Sequence, residues 1–566
     1  MKTSPTQTTN LDQSLTILQE NKDRWAATPV REKISLLERV LDGYIPLCEK
    51  WVALSLNAKR AAQDAYARGW EWASGPMPVL RYLRGLQRTF MALQETGQPP
   101  LPYPLVTRPN GQLSVRVYPV SLYDRFSTSG TTVEVWMEPG LGAEEVFIDQ
   151  PGAHSQSQVS GKVCLVLGAG NVAGIPFNDA LSKLFVDQCV VLLKMSPVNE
   201  YLGPLIETAF SQLIAEGFFR LVYGGADEGA YLTKHPGVDC IHITGSDKTY
   251  EAIAFGVGAE GRQRKQERRP VCTKPLTAEL GNIGPAIVVP GPWSKSDIHY
   301  QAEQLASHLC DSASYSCSRT RLIIQHSSWQ HRHELLKEIE NVLQQVPLRA
   351  AYYPGADELY QRFVEAHPEA IKCGSGMDGK LPWTLIPGVD PQGENDICFT
   401  TEAFCPVMSE TVLEASSPAD FVLKAVDFIN QRVWGSLTAL IIVHPQSLRD
   451  PEVAEGVEEA IERLRYGTVA INSLPSLVWG IATPPWGSHP GNEPWNIRSG
   501  NGFVHNTLLF SHPQKTVLRG PFRTYPLPPW FPSRAERMGE ICRNIARYEA
   551  EPTTRRMLEV IVSAIK

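Results

Sequence analysis

Residues 312–324 read SASYSCSRTRLII: a thiol among hydroxyl side chains, with Arg319 and Arg321 just downstream and an apolar run, Leu322 to Ile324, behind them. A cysteine kept for packing favours apolar neighbours, whereas a reactive one favours a positive field that holds its thiolate. Cys317 therefore reads as a candidate nucleophile activated by two cations, with an inert half-buried thiol as the alternative. A thiol that attacks a carbonyl needs a donor for the developing oxyanion. Asn171, at the tip of LVLGAGNVAG, is a neutral amide that could supply it, unless it merely tolerates a left-handed turn.

These residues need elements to hold them. From residue 162 onward, KVCLVLG, CVVLLK, FFRLVYG and VDCIHITG are short β-branched runs separated by helical stretches. Strand and helix alternating at this spacing predict a parallel sheet with crossover helices, which binds ligands at the carboxyl ends of its strands. Gly168, Gly170 and Ala173 fit the G-x-G-x-x-G/A dinucleotide loop. The acidic residue that should follow at the end of the next strand is replaced by Lys194, which weakens an ordinary ribose-carboxylate reading. Thr244, Gly245 and Ser246 stand where a strand gives way to a helix, a place whose free N–H groups favour a phosphate.

Four stretches in order, HITGSDKTYEAIAFG, LTAELGNIGPAIVV, ASYSCSRTRL and TTEAFCPVMSE, resemble the aldehyde dehydrogenase superfamily over roughly residues 155–510. The resemblance implies an α/β fold with a Rossmann-type parallel-sheet cofactor domain, an α/β catalytic domain and an oligomerisation ribbon. It implies NAD or NADP as cofactor and a small aldehyde as substrate. By that match Cys317 is the nucleophile, Glu279 the general base and Asn171 the oxyanion donor. Lys194 would touch the adenosine ribose, Gly245 and Ser246 the pyrophosphate, Glu402 the nicotinamide ribose and Phe404 the nicotinamide side; Gly225 and Leu280 join them as cofactor contacts. Taken alone, Glu279 could be a solvated strand-edge carboxylate and Glu402 a turn cap. Departures are Tyr315-Ser316 before the cysteine, Arg321 one residue closer than usual, extra residues at GPWSKSD, and Pro197 where NAD-selecting members carry glutamate.

The implied organisation is helical over 1–105, an extended ribbon over 106–150, cofactor binding over 151–282, catalysis over 283–480, and over 481–566 a return to the cofactor domain with a proline-rich, helical extension. The ribbon strands QLSVRVYP and TTVEVWME alternate in polarity and are expected to be half-exposed and to join subunits into a homodimer or homotetramer. In a chain of 566 residues, 43% hydrophobic and of net charge −7, no basic patch invites nucleic acid, and no apolar run approaches a membrane span. The polar start lacks a secretory core. The eleven scattered cysteines without CxxC spacing argue against disulfides or zinc and for a reducing, cytoplasmic setting. His326, His331 and His333 lie close in sequence without a second ligand cluster, so no metal is expected. Two rival readings stand beside hydrolytic oxidation: thioester release to coenzyme A, or the same chemistry run backwards as an acyl reductase; and a non-catalytic scaffold. A third would have Trp530 and Phe531 of the proline arm insert at a membrane surface.

Overall fold

The computed structural model describes residues 4–147 and 160–565, so the expected boundary at 150–151 lies outside the described residues. Its smaller sheet has five parallel strands in the spatial order Phe219–Val222, Val190–Lys194, Val163–Leu167, Cys240–Gly245, Leu276–Leu280. The inner runs are apolar and buried throughout, as crossover helices on both faces require. The chain builds outward from Val163–Leu167 in both directions. A crevice therefore opens at the carboxyl ends of that strand and of Cys240–Gly245.

The larger sheet has eleven strands. Its parallel centre runs Thr468–Ile471, Thr438–Ile442, Gly284–Val288, Thr320–His326, Val407–Leu413, Trp383–Val389. The two sheets meet in sequence at Glu279-Leu280-Gly281, where the five-stranded sheet's last strand leads into Gly284–Val288 of the larger one. That junction puts the end of Leu276–Leu280 beside the start of Thr320–His326, and so the carboxylate beside the thiol. The extra residues at GPWSKSD form the approach to helix Lys295–Cys310. Ser294 caps it, its Oγ accepting from the Asp297 N–H at 3.3 Å.

The ribbon does not stand free. Leu113–Tyr118 pairs antiparallel with Thr132–Met137, that strand with Pro513–Arg519, and Pro513–Arg519 runs parallel to Thr468–Ile471. Val115, Val117, Val133 and Val135 are buried, so the strands are covered rather than half-exposed. Hydrogen bonds that were expected to seek another subunit are thus made within the chain. The edge that remains on this side is the short strand Leu105–Thr107.

The proline arm also folds back. Phe531 is fully buried against Tyr300, with ring centroids 4.9 Å apart, so it packs on its own chain rather than on a lipid surface. Beyond it, helix Ala535–Ala550 lies so close to helix Ala65–Ser74 that a Cβ on Gly69 would come within 2.4 Å of Met538. No helix among the described residues is long and apolar enough to cross a membrane.

Candidate active site

Cys317 follows three consecutive non-glycine residues in the left-handed region, Ser312, Ala313 and Ser314, with φ of 49°, 53° and 75°. Such a run costs about 1–2 kcal/mol per residue and persists only where its surroundings hold it. The holding groups are the two arginines. Arg321 donates to the Ser314 hydroxyl, to the Ser314 carbonyl and to the Cys405 carbonyl, the last at 3.1 Å. Arg319 forms an ion pair with Asp311, whose other oxygen accepts from Ser312 Oγ at 2.6 Å. Both guanidiniums are buried and bonded to the loop backbone or to its carboxylate. Neither is hydrogen-bonded to the sulfur. They clamp the turn that presents it, and the charge of Arg321 also reaches the thiol without a hydrogen bond, though burial outweighs it.

The group that does face the sulfur is an acid. Cys317 Sγ donates to Glu279 Oε1 at 3.3 Å. Glu279 ends strand Leu276–Leu280 and is held from behind, Leu280 N–H donating to Ser499 O at 2.9 Å and Ala278 N–H to Asn501 Oδ1 at 2.9 Å. Gly500 is needed there, since a Cβ on it would lie 2.0 Å from the Ala278 carbonyl. Glu279 is 2% exposed, so it is not a solvated edge carboxylate. Burial raises its carboxyl to about 8, against the lowering effect of the bond from Cys317. Burial, with Glu279 and Glu402 nearby, raises the Cys317 thiol well above its usual value. The resting pair is therefore a thiol hydrogen-bonded to a carboxyl whose proton is exchangeable near neutrality.

Around this pair lies a cleft of about 1560 Å³, lined by all ten residues singled out from the sequence: Asn171, Lys194, Gly225, Gly245, Ser246, Glu279, Leu280, Cys317, Glu402 and Phe404. Its walls suit a dinucleotide. Helices Ala226–Lys234 and Asp247–Phe255 begin at Gly225 and Ser246, bringing two helix N-termini to one crevice. Lys194 Nζ donates to the Gly224 carbonyl at 2.7 Å, and burial lowers its pKa. Asn171 is buried, its carbonyl accepting from Tyr352 Oη at 3.2 Å. In the glycine loop, a Cβ on Gly170 would fall 2.6 Å from Ser196 Oγ and 2.9 Å from Val198 Cβ. That glycine lets the turns after the first two strands of the sheet pack together.

The sequence model of the aldehyde dehydrogenase family matches residues 171–357, from the tip of the glycine loop through Cys317. That match spans about a third of the chain, and over it the chain is similar to the aldehyde dehydrogenases. The likeness in fold extends further than the sequence match. An NADP-dependent glyceraldehyde-3-phosphate dehydrogenase from Bacillus halodurans, solved with NADP, superposes with a TM-score of 0.59 at 18% identity, over 90% of this chain and 91% of that one. Among curated relatives, an N-succinylglutamate 5-semialdehyde dehydrogenase from Sphingopyxis alaskensis is 29% identical over 28% of this chain. Human 4-trimethylaminobutyraldehyde dehydrogenase is 26% identical over 47% of it. The matched segments span only 30% and 54% of those relatives' own lengths.

Three features of this site were not read from the sequence. Tyr315, the departure just before the cysteine, is buried in an aromatic cluster with Tyr352, Tyr353 and Phe404, at centroid distances of 4.8, 5.7 and 5.8 Å. The cluster fixes Phe404, and the YY pair of AAYYPG was its available signal. Asp311, the partner of Arg319, is the second. Gly281 is the third: a Cβ on it would lie 2.0 Å from Glu402 Oε2, whose companion Oε1 accepts from Asn282 N–H at 3.0 Å. Gly281→Ala is expected to push Glu402 off that bond and weaken NAD(P)+ binding about tenfold, as losing a charged hydrogen bond does. Cofactor titration by fluorescence quenching checks this, and the rate of Cys317 alkylation should hold. Of the three histidines, His326 bonds to the Ala415 carbonyl and His331 to Glu334. Among the described residues the donors that converge within 4.8 Å are instead His367, Asp396 and Cys398, and none of them lines the cleft.

Proposed function

We propose that the protein oxidises an aldehyde to a carboxylic acid with NAD(P)+ through a covalent thioester on Cys317. The observation that carries this reading is the 3.3 Å hydrogen bond between Cys317 and Glu279 inside a cleft shaped for a dinucleotide. Glu279 takes the proton from Cys317 as the sulfur attacks the carbonyl carbon. The side-chain amide of Asn171 and the Cys317 backbone N–H steady the oxygen that gains charge. A bound nicotinamide supplies the hydride acceptor; Lys194, Glu402, Phe404 and the two helix N-termini would hold that cofactor. Loss of hydride leaves an acyl group on sulfur. Glu279 passes the first proton to solvent, then deprotonates water for attack on that acyl carbon and hands that proton to the departing sulfur, and the thiol returns. The balance is aldehyde, water and NAD(P)+ in, carboxylate, NAD(P)H and two protons out.

Glu279 favours water over coenzyme A as the acyl acceptor, because water, a much weaker acid than a thiol, depends more on a positioned base. The proline arm, which had kept the coenzyme A reading open, packs on this chain's own helices. Measuring NAD(P)H formation with each cofactor, with and without coenzyme A, tests the reading. Turnover without coenzyme A, abolished by Cys317→Ala, is expected. An absolute requirement for coenzyme A would overturn the hydrolytic step, and no turnover with any aldehyde would favour a scaffold.

A further inference from the structure

A second cavity, of about 610 Å³, shares Cys317 with the dinucleotide cleft but is otherwise bounded by different residues. Its walls come from distant parts of the chain: Trp70 and Met77 from the N-terminal helices, Trp479 from the stretch after the catalytic sheet, Trp530 from the proline arm, and Ile541 and Ile561 from the two terminal helices. These are large apolar groups, and the volume lies in the range of sites that enclose most of a small organic molecule.

The charges in this wall are already matched. Arg81 pairs with Asp124 at 2.6 Å and with Glu549 at 3.3 Å, Arg523 pairs with Asp297 at 3.2 Å, and Arg319 pairs with Asp311. Among the described lining residues, no carboxylate is left to meet a cationic tail, which would have to shed its water without compensation, and the two N–H groups of Arg319 that stay unpartnered are buried. An alkyl tail meets no such cost.

The last helix, Thr554–Ile565, closes this space. Val560 and Ser563 are buried beneath it, Ile561 faces the cavity, and Ile565 both lines it and is 60% exposed. Phe126 and Tyr525 share that double position, so the three mark the mouth.

We propose that the substrate is an uncharged aldehyde with a long apolar tail, that the tail lies in this cavity with its carbonyl at Cys317, and that Ile561 on the terminal helix sets the longest tail accepted. This rests on the aldehyde-oxidising reading above and narrows it. One relative's name points to a quaternary amine, for which this cavity offers no free carboxylate.

A straight-chain aldehyde series, propanal to tetradecanal, with NAD(P)+ tests it. kcat/KM should rise about fourfold per methylene until the cavity is filled, the increment expected from burying one CH2. Ile561→Trp should cut kcat/KM for dodecanal about tenfold and leave hexanal unchanged, since overfilling a site penalises only the tail that reaches it. A second readout is independent of turnover: calorimetric binding of dodecanol against butanol to Cys317→Ala, with and without Ile561→Trp. Flat or falling kcat/KM with length, or 4-trimethylaminobutyraldehyde or succinate semialdehyde outrunning decanal, would overturn the tail assignment while leaving aldehyde oxidation standing. Tight dodecanol binding that Ile561→Trp abolishes, with no aldehyde oxidised, would keep the tail site and remove the oxidation reading. Absence of both length-dependent turnover and dodecanol binding would overturn the inference.

Discussion

Glu279→Gln is expected to suppress turnover by about 10²–10⁴-fold, the usual worth of a positioned general base, and at the same time to make the fold more stable in mildly alkaline solution. The two effects have one cause. The folded chain holds the Glu279 carboxyl near 8, whereas the unfolded chain leaves it at its ordinary 4.5. Between those values the folded state binds more protons than the unfolded one, so stability falls as pH rises. The penalty is absent below 4.5, grows through the interval and is complete above about 8, where it is on the order of 4 kcal/mol. Glutamine keeps the shape and can still accept from the thiol but carries no charge to bury. The melting temperature of Glu279→Gln should therefore exceed that of the parent above about pH 8, with the gap closing as pH falls toward 4.5. In the parent, kcat/KM should rise with pH through a limb near 8, because the base form is the active one; the variant should lack that limb. A stability gap independent of pH would contradict the assignment.

Arg321→Lys is the second large effect. Lysine keeps the positive charge but not the fork that reaches Ser314 Oγ, Ser314 O and Cys405 O together. If Arg321 acted by its field on the thiol, the substitution would be nearly silent. As a clamp on three left-handed residues it is not: freed of it, the turn relaxes and Cys317 moves off Glu279. A displacement of about 1 Å at a nucleophile can cost about a hundredfold in kcat. We expect that loss, with a lowered melting temperature and with KM for the cofactor little changed. Steady-state kinetics on both substrates beside a thermal melt would separate the cases. Full activity in Arg321→Lys would rule out the clamp.

The parallel sheet was legible because its strands are local, β-branched and punctuated by glycine; LVLG, LLK and ITG end where the structure ends Val163–Leu167, Val190–Lys194 and Cys240–Gly245. The ten cleft residues were legible for a different reason: they stand in short motifs whose order along the chain is distinctive. What could not be read is what depends on contacts distant in sequence. Arg319 and Arg321 stand next to Cys317 along the chain, yet their partners, Asp311, Ser314 and Cys405, lie on the other side of the turn from the sulfur's own partner, Glu279. Adjacency in sequence did not show that burial and the carboxylates of Glu279 and Glu402 would outweigh the arginines at the thiol. The ribbon strands showed their alternation but not that Pro513–Arg519 would return to cover them. Nor does any local pattern place Ile561, at the end of the chain, in a cavity that reaches Cys317.

The most direct test is the mass of the protein caught during turnover. Acid-quenched samples of the chain mixed with aldehyde and NAD(P)+ should show one added acyl group, accumulating most in Glu279→Gln, where release to water, which depends more on a base, is slowed more than attack by the thiol. Digestion should place it on Cys317 among the eleven cysteines. An acyl group on another residue, or aldehyde oxidation that continues in Cys317→Ala, would contradict the account.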